Sequence, residues 1–356
     1  MSRCKLEEFI SYEQPSKYIV NSDQYDDSFE IPVLTAGKSF ILGYTDETNN
    51  IFDNLPVIIF DDFTTSVQFV DFPFKVKSSA MKLLKNTEQA DIKYCYYLLK
   101  YLQHTPENHK RQWLSTTSQK TVELPVIEEQ KNIVSKLDKI LEVIDNQNKQ
   151  LELLDEAIKA RFVEMFGDPV SNSKDLPVQK MNNVAPICQY DGSFEESVWL
   201  LNLDMVESQT GRIINYNIVS KDEIGGSVCT FDENNVLYSK LRPYLNKVVI
   251  PNGKGYATSE LVPLRPDPKI INRIYLAYLL RSNEFVEMIK EKVAGAKMPR
   301  VSMSDFREFN VPVPPLELQN QFASFVQEID KSRSRIQKSL EASQELFDSL
   351  MQEYFG

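Results

Sequence analysis

Residues 124–167 read LPVIEEQKNIVSKLDKILEVIDNQNKQLELLDEAIKARFVEMFG, and residues 313–356 read VPPLELQNQFASFVQEIDKSRSRIQKSLEASQELFDSLMQEYFG. The two stretches align without a gap, so that Gln130 matches Gln319. A repeat separated by this much intervening chain is too large to be a solenoid unit. It indicates a duplicated protein with two similar halves, and two similar halves suit a target that is itself in two parts.

Each copy of the repeat carries a seam of apolar residues that recur in alternate steps of four and three. This heptad pattern, with charged residues on the other faces, is typical of a coiled coil. The seam residues are Ile133, Leu137, Ile140, Ile144, Leu151, Leu154 and Ile158 in the first copy, and Phe322, Val326, Ile329, Ile336, Leu340 and Phe347 in the second. Each copy therefore predicts a helix of about 40 residues, or ~60 Å in length.

Three polar residues, Gln147, Arg333 and Ser343, interrupt these seams. Polar seam residues often fix the register of a coiled coil at some cost in stability, although here they could instead face a third helix. Two arrangements follow from the pattern. The helices pair with each other as an antiparallel coiled coil, or each helix packs separately on its own domain.

The segments ahead of the two helices also match, although more loosely. YCYYLLK at 94–100 resembles YLAYLLR at 275–281, and β-like runs such as LPVIIF and NKVVIP precede them. We therefore predict a mixed α/β fold in which two similar domains alternate with two long helices. The predicted boundaries are 1–123 for the first domain, 124–167 for the first helix, 168–312 for the second domain and 313–356 for the second helix. A pseudo-two-fold axis between the halves would make the helices antiparallel and the arrangement almost circular.

The bulk composition limits the class of protein. The chain has 356 residues, 42% of them hydrophobic, and a net charge of −11, which argues against a general nucleic-acid binder. No stretch reaches the ~20 apolar residues of a membrane helix, and the N-terminus lacks the apolar core of a signal peptide. We therefore expect a cytoplasmic protein. Four scattered cysteines and two histidines predict neither a disulfide framework nor a metal site.

The sequence contains no arrangement that predicts catalysis. There is no glycine-rich phosphate loop, and the sequence around the two histidines does not indicate a Ser/His/Asp catalytic triad. The nuclease-like fragment Glu129-Gln130-Lys131 is only three residues long, and it opens the first predicted helix without a well-placed aspartate partner. We therefore predict that the chain is not an enzyme.

Basic residues cluster in four windows without acidic residues, two in each half. The windows lie between Asp71 and Glu88, between Glu107 and Glu123, between Glu233 and Glu260, and between Glu291 and Asp305. An acidic protein that twice excludes acids from similar places fits two phosphate-facing surfaces. The alternative for any single window is a solvated loop.

Loops among these windows would supply side chains that read DNA bases or bind phosphates. The candidates are Lys38, Asp62, Thr64, Thr65, Lys75, Lys110, Arg111 and Gln112 in the first half, and Lys240, Arg242, Tyr244, Lys247, Lys297 and Arg300 in the second. An aspartate in the FDDFTTS loop could accept a hydrogen bond from a cytosine amine. Different loop chemistry on a shared scaffold predicts that the two halves read different sequences.

The order of these features resembles the specificity subunit of type I restriction–modification systems. The resemblance covers the whole chain, as two target recognition domains that alternate with two spacer helices. It is carried by the helix entries LPVIEEQ and VPPLELQ, by the helix ends FVEMFGDP and MQEYFG, and by the SKLRPYLNK loop followed by ATSELVPL. The first half departs from this pattern, because FDDFTTS stands where the basic SKLRPYLNK loop is found in the second.

The resemblance implies a non-catalytic, sequence-specific DNA-binding subunit that reads a bipartite site in double-stranded DNA. It would direct adenine methylation or restriction of foreign DNA by partner subunits. Two methyltransferase subunits would dock on the spacer helices, and nuclease/translocase subunits would join them. S-adenosylmethionine, Mg and ATP would be needed only in those partners, so this chain would hold no cofactor. The alternative is a coiled-coil protein-interaction scaffold without DNA specificity.

Overall fold

The computed structural model describes residues 2–37, 39–106, 111–293 and 297–356. They form two compact units, of which the first comprises Met1–Asn148 with Lys338–Gly356 and the second comprises Lys149–Gln337. Each unit joins a sheet-containing domain to half of each of two 40-residue helices. This organisation confirms the predicted mixed α/β class. Among the described helices, none combines the length and the hydropathy needed to cross a membrane.

In its described residues, the first unit is built on nine strands. They are β1 (Ser2–Lys5), β2 (Ile10–Glu13), β3 (Ile31–Leu34), β4 (Ile41–Thr45), β5 (Val57–Asp61), β6 (Val67–Val70), β7 (Lys75–Val76), β8 (Met81–Asn86) and β9 (Thr121–Leu124). One sheet has the strand order β2-β8-β5-β6, a second has the order β4-β3-β7, and β1 pairs with β9. The helices are α1 (Leu6–Phe9), α2 (Ile92–Tyr101) and the long α3 (Ile127–Phe166), which continues into the second unit.

The central strands of the first unit separate two hydrophobic cores. All five residues of β5 are buried, as expected for an apolar strand that is covered on both faces. Ile58 and Leu84 belong to the core that contains α2 and the start of α3, whereas Ile59 and Leu83 belong to the core on the opposite face. Because successive side chains of a strand point to opposite faces, one apolar run supplies both cores.

Nine further strands occur in the part of the second unit that the structure describes. They are β10 (Val178–Lys180), β11 (Ser197–Leu201), β12 (Asn217–Ser220), β13 (Val228–Phe231), β14 (Val236–Ser239), β15 (Val248–Val249), β16 (Gly255–Thr258), β17 (Leu261–Leu264) and β18 (Asn310–Pro312). The sheets have the orders β12-β11-β16-β13 and β15-β14-β17, and β10 pairs with β18. The helices are α4 (Met181–Val184), α5 (Arg273–Arg281), α6 (Asn283–Lys292), α7 (Met303–Arg307) and the long α8 (Leu316–Phe355).

The second unit repeats the two-core arrangement of the first. Tyr238 of β14 and Val262 of β17 face the core that contains α5 and the long helices, whereas Leu237 and Leu261 face the other core. The antiparallel pair β14–β17 thus plays the part that β5–β8 plays in the first unit. The duplication read from the helices therefore extends to the sheets that precede them.

Within the first unit, the start of α3 packs against the end of α8. Leu137, Phe347 and Met351 lie in one buried cluster. Lys136 Nζ donates to the Tyr354 hydroxyl at 3.2 Å, and Gln147 Nε2 donates to Ser339 Oγ at 2.8 Å. Since the contacts ascend along α3 as they descend along α8, the two segments run antiparallel.

Within the second unit, the end of α3 packs against the start of α8. Phe162 and Phe166 lie against Phe322, with ring centroids 5.5 Å apart in both pairs. Farther along, Arg333 donates to Asp155 at 2.6 Å. These contacts are again antiparallel, and they confirm the predicted coiled-coil pairing in place of two helices packed separately.

The seam residues are the inward-facing residues of both helices. The buried ones are Ile133, Leu137, Ile158, Phe322, Val326 and Phe347, and the half-buried ones are Ile140, Ile144, Leu151, Leu154, Ile329, Ile336 and Leu340. Burial is deepest where the helices also cover a sheet-containing domain. The polar residue Arg333 meets Asp155 of the other helix and is half-buried.

A buried glutamine fastens the start of each long helix to its own unit. Gln130 Oε1 accepts from the backbone N–H of Asp91 at 2.8 Å, and its amide donates to the carbonyls of Gln89 and Pro125. Gln319 makes the same set, because its Oε1 accepts from Asn272 N at 2.7 Å and its amide donates to the carbonyls of Ile270 and Pro314. Asp91 and Asn272 are the N-caps of α2 and α5.

Candidate functional site

Two segments that the sequence marked as separate candidates meet in the second unit. They are the loop 240–247, which follows β14, and the segment 297–301, which precedes α7. Leu241 and Arg300 form an antiparallel bridge. Arg242 N donates to Pro299 O at 2.8 Å, and Val301 N donates to Lys240 O at 2.9 Å. We call this pair of segments the second-unit junction.

The loop of the second-unit junction has an unusual backbone that its sequence explains. Arg242 has φ 48° and Asn246 has φ 49°, both in the left-handed region that asparagine tolerates better than most residues. Pro243 opens a short 3₁₀ turn between them. Asn246 Nδ2 donates to the carbonyl of Arg281 at 2.9 Å, which ties the loop to the end of α5. The turn leaves the side chains of Arg242 and Tyr244 exposed.

Glu260 connects both segments of the second-unit junction. Its carboxylate accepts from Arg300 Nε at 3.2 Å and from Arg300 Nη2 at 3.0 Å, while its backbone carbonyl accepts from Lys240 N at 3.0 Å. The hydrogen bonds and charge of Glu260 raise the pKa of the Arg300 guanidinium above its usual range. Behind the segment, Phe306 stacks on Tyr238 with ring centroids 4.7 Å apart.

The predicted residues of the second unit differ in how available they are. Arg242, Tyr244, Lys297 and Arg300 are exposed, and Lys240 is half-buried. Lys247 donates to the carbonyl of Leu203 at 2.6 Å, and burial lowers its pKa. The junction therefore brings three exposed cationic side chains and a tyrosine hydroxyl to one place, while Lys247 anchors the loop from inside.

The first unit has a junction with the same backbone hydrogen bonds. Gln112 N donates to Asp62 O at 2.8 Å, as Val301 N does to Lys240 O, and Asp62 N donates to Ala80 O at 3.3 Å, as Lys240 N does to Glu260 O. Arg111 precedes Gln112 as Arg300 precedes Val301. We call the loop 62–65 with the segment 111–113 the first-unit junction.

Several residues predicted to contact DNA in the first half are buried, which corrects the prediction for them. Asp62 is 1% exposed, pairs with buried Lys82 at 3.2 Å and accepts from Trp113 N at 2.9 Å. Its carboxylate is therefore committed to the protein and does not reach a base. Lys75 is fully buried, where it pairs with Glu47 at 2.9 Å.

Thr65 and Gln112 are also buried, at 2% and 5% exposure. The Thr65 hydroxyl donates to the carbonyl of His104 at 2.6 Å, so it fixes the loop. Among the predicted DNA-contacting residues of the first-unit junction, Thr64 and Arg111 are exposed. Two further candidates, Lys38 and Lys110, lie outside the described residues.

The first basic window is not a phosphate-facing surface, which is a second correction. Lys82 pairs with Asp62 and Lys77 pairs with Asp23, while Lys85 donates to the carbonyls of Asn54 and Pro56. The acids lie far away in the sequence but next to these lysines in the fold. The absence of acidic residues from a stretch of sequence therefore does not show that its lysines lack acidic partners in the fold.

The sequence did not single out two features of the second unit. In the sequence, Glu260 marks only the end of a basic window. An acid at such a border is a visible candidate for pairing with a basic residue of a neighbouring window. A cavity of about 520 Å³, lined among others by Asp155, Arg212, Tyr278 and Arg333, was not predicted. Asp155 pairs there with both arginines, so its single carboxylate offsets part of their positive charge. No cluster of metal-ligating side chains occurs in the ranges that the structure describes.

The sequence is similar to those of known proteins. The model of a family described as type I restriction modification DNA specificity domain matches residues 3–156 and 204–344. A specificity subunit of the Escherichia coli type I restriction enzyme EcoR124I/EcoR124II is 46% identical over 146 residues, which is 39% of this chain and 36% of that protein. The EcoDI specificity subunit of the same species is 27% identical over 38% of this chain and 30% of its own length. The matches thus span about a third of these relatives.

Solved structures share the fold. A crystal structure of a type I restriction–modification S subunit from M. genitalium superposes with a TM-score of 0.59 at 14% identity, over 100% of this chain and 96% of that one. A second structure, from work on complex assembly and conformational transition of the type I R–M system, gives a TM-score of 0.51 at 14% identity, over 99% and 97%. Since the family model spans more than half of the sequence, this chain belongs to the type I restriction modification DNA specificity domain family.

Proposed function

We propose that this chain is the specificity subunit of a type I restriction–modification complex and reads a two-part sequence in double-stranded DNA. The observation that carries the proposal is the repeated junction. The same backbone hydrogen bonds recur in both units, around Asp62 in one and Lys240 in the other, with different side chains exposed. A shared scaffold with different exposed side chains would read different base pairs at two half-sites.

The chemistry of the second-unit junction fits a DNA groove. Arg242, Lys297 and Arg300 are donors that match the O6 and N7 acceptors of guanine, and they also suit phosphates. The first-unit junction offers Arg111, whereas the exposed Thr64 donates its hydroxyl to Asp61 at 2.6 Å. A net charge of −11 would oppose DNA on most of the surface, so recognition would depend on these local cationic sites and on partner subunits.

The partners in this proposal are two methyltransferase subunits and the nuclease/translocase subunits. Exposed apolar residues on the long helices, Val143, Leu153, Val163 and Leu346, are available for docking. Catalysis would belong to the partners, which would use S-adenosylmethionine, Mg and ATP, and the complex would act in the cytoplasm. This chain would provide the recognition of the DNA sequence.

The test is to co-express the chain with the adenine methyltransferase encoded beside it and to map methylated adenines across the host genome. We expect a single bipartite motif with a fixed gap between its halves. The control is the same methyltransferase without this chain. Methylation that is absent, or identical in the control, would refute the proposal and favour the protein-interaction scaffold.

An Arg242→Ala variant of the same complex tests the assignment of the second unit. Because Arg242 is exposed and belongs to the second-unit junction, we expect the variant to relax one half of the motif and to leave the other half unchanged. The cost at the affected base pair should be about 1–3 kcal/mol. An equal loss at both halves would mean that Arg242 contacts phosphate rather than a base.

A further inference from the structure

We propose that Glu260 is a positioning residue that holds Arg300 in place to read a base. Arg111, which is the counterpart of Arg300 in the first unit, would instead contact phosphate. The inference rests on the proposed function, and it assigns different tasks to two arginines at corresponding places in the fold. The distinguishing feature is the residue that precedes the corresponding strand in each unit. It is Glu260, whose carboxylate contacts Arg300, in the second unit and Ala80, which has only a methyl group, in the first.

The hydrogen bonds establish the correspondence between Glu260 and Ala80. Each carbonyl accepts from the first loop residue of its junction, Lys240 or Asp62. Each residue also stands immediately before an equivalent strand, since Ser239 pairs with Leu261 as Asp61 pairs with Met81. The two positions are therefore the same place in a duplicated scaffold.

The geometry of the Arg300–Glu260 pair leaves one edge of the guanidinium available. Nε and Nη2 face the carboxylate, and Nη1 has no hydrogen-bond partner within the described ranges. A guanidinium donates through five N–H groups, so the edge that includes Nη1 can still donate to the paired acceptors of guanine. The side chain of Arg300 is 49% exposed, so that edge can be reached from solvent.

The charge of Glu260 decides between base and phosphate. A carboxylate within hydrogen-bond distance of Arg300 repels a phosphate that approaches the same arginine, whereas it repels a neutral base edge far less. It also limits the side-chain conformations of Arg300, so less entropy is lost on binding. Ala80 has no charge that could do either for Arg111, and the exposed cation of Arg111 suits a phosphate. The side chains of Arg300 and Glu260 are 49% and 20% exposed, so the pair can also contribute to stability, and unfolding measurements on the variants separate that contribution from positioning.

The test uses the assembled complex with its methyltransferase and measures binding to DNA duplexes that vary each base pair of the motif. We expect Glu260→Ala to lower discrimination at one base pair of the second half-site about tenfold, and to raise the salt slope by no more than about one, because Arg300 is then free to bind a phosphate. We expect Arg111→Ala to weaken binding to all sequences alike and to reduce the salt slope by about one. Glu233→Ala is the matched control, because it removes an exposed acid at the other border of the same basic window.

A double-mutant cycle separates positioning from a structural role. If Glu260 acts through Arg300, Glu260→Ala should cause no further loss of discrimination in an Arg300→Ala background. Losses that add would overturn the inference, as would unchanged discrimination in both Glu260→Ala and Glu260→Gln. Thermal unfolding of each variant checks the fold, and Glu260→Gln, which keeps the side-chain size, substitutes if the alanine variant unfolds. A wild-type complex without any bipartite preference would instead refute the proposed function itself.

Discussion

At the scale of single residues, the buried glutamines Gln130 and Gln319 link each long helix to its own unit. Each amide accepts from the N-cap of a neighbouring helix and donates to two carbonyls. The first backbone N–H groups of a helix lack partners within the helix, and a buried carbonyl needs a donor. One side chain therefore satisfies three backbone groups, of which the proline carbonyl is buried and the other two are partly buried.

We predict that Gln319→Ala lowers the free energy of unfolding by about 1–3 kcal/mol, because it leaves buried backbone groups unpaired. Gln319→Glu should cost more, since a carboxylate cannot donate to the carbonyls of Ile270 and Pro314. Denaturant titration followed by circular dichroism measures both effects. Gln150→Ala, an exposed glutamine on α3, is the control and should change stability by less than about 0.5 kcal/mol. Similar midpoints for Gln319→Ala and the control would contradict the role of the buried amide.

The glutamine pair also marks a limit of sequence reasoning at this scale. The match of Gln130 to Gln319 is visible in the repeat, and so is its place in the fragment Glu129-Gln130-Lys131. Whether the amide serves chemistry or structure depends on the carbonyls around it, which come from residues up to 41 positions away. Long-range hydrogen bonds of this kind leave no local pattern in a single sequence.

At the scale of elements, Asp155 ties α3 to α8 and to a surface loop of the second unit. It accepts hydrogen bonds from Arg333 of α8 and from Arg212 of the loop. Burial alone would raise the pKa of Asp155, but the two arginines outweigh burial and hold that pKa below its usual range. The corresponding places in the first unit are occupied by Ile144 and Gln344, so this charged tie belongs to one unit.

We predict that Asp155→Asn lowers the unfolding midpoint at pH 7 and that the difference from wild type narrows in acid. A carboxyl whose folded pKa is depressed stabilises the fold above its unfolded pKa of about 3.9. That contribution is lost as the pH falls through the lower folded-state pKa. Thermal unfolding from pH 7 to pH 3 measures the difference. Glu156→Gln, which changes the exposed neighbour of Asp155 on α3, is the control, and its unfolding midpoint should change with pH as that of wild type does. A difference for Asp155→Asn that stays constant with pH would show that charge is not the cause.

The sequence predicted the elements unevenly. The long helices were predictable because a heptad seam is a local pattern, and its residues face inward in both units. The loop around Arg242 and the segment around Arg300 were recognised separately, and the fold brings them together. The prediction that the first basic window faces phosphates is wrong, because Lys75 and Lys82 form ion pairs with Glu47 and Asp62, which are distant in the sequence. Glu260 was overlooked for the same reason, since its role lies in a contact across 40 residues of chain.

At the scale of the whole molecule, the duplication combines identical scaffolding with divergent contact residues. Gln130 and Gln319 keep the same hydrogen bonds in both units, whereas Asp62 and Lys240 share a backbone position and differ in charge. A scaffold position must satisfy the same buried groups in each unit, while an exposed position would have to match only its own half of the proposed target. The proposed bipartite recognition follows from this contrast. It further requires that the two reading units be connected by something of defined length, and α3 is the unbroken helix that passes from one unit to the other.

We predict that inserting four residues after Asn148 of α3 and four after Gln337 of α8 lengthens the gap of the methylated motif and leaves both half-sites unchanged. Both insertions fall at the division between the units, so the contacts within each unit are kept, and a four-residue insertion is one that coiled coils accommodate. Four helical residues add ~6 Å, or about one to two base pairs at 3.4 Å per step. Mapping of methylated adenines measures the gap. Inserting the four residues in α3 alone is the control, and it should weaken methylation because the two helices then lose their matched lengths. An unchanged gap in the double insertion would mean that the helices do not set the distance between the half-sites.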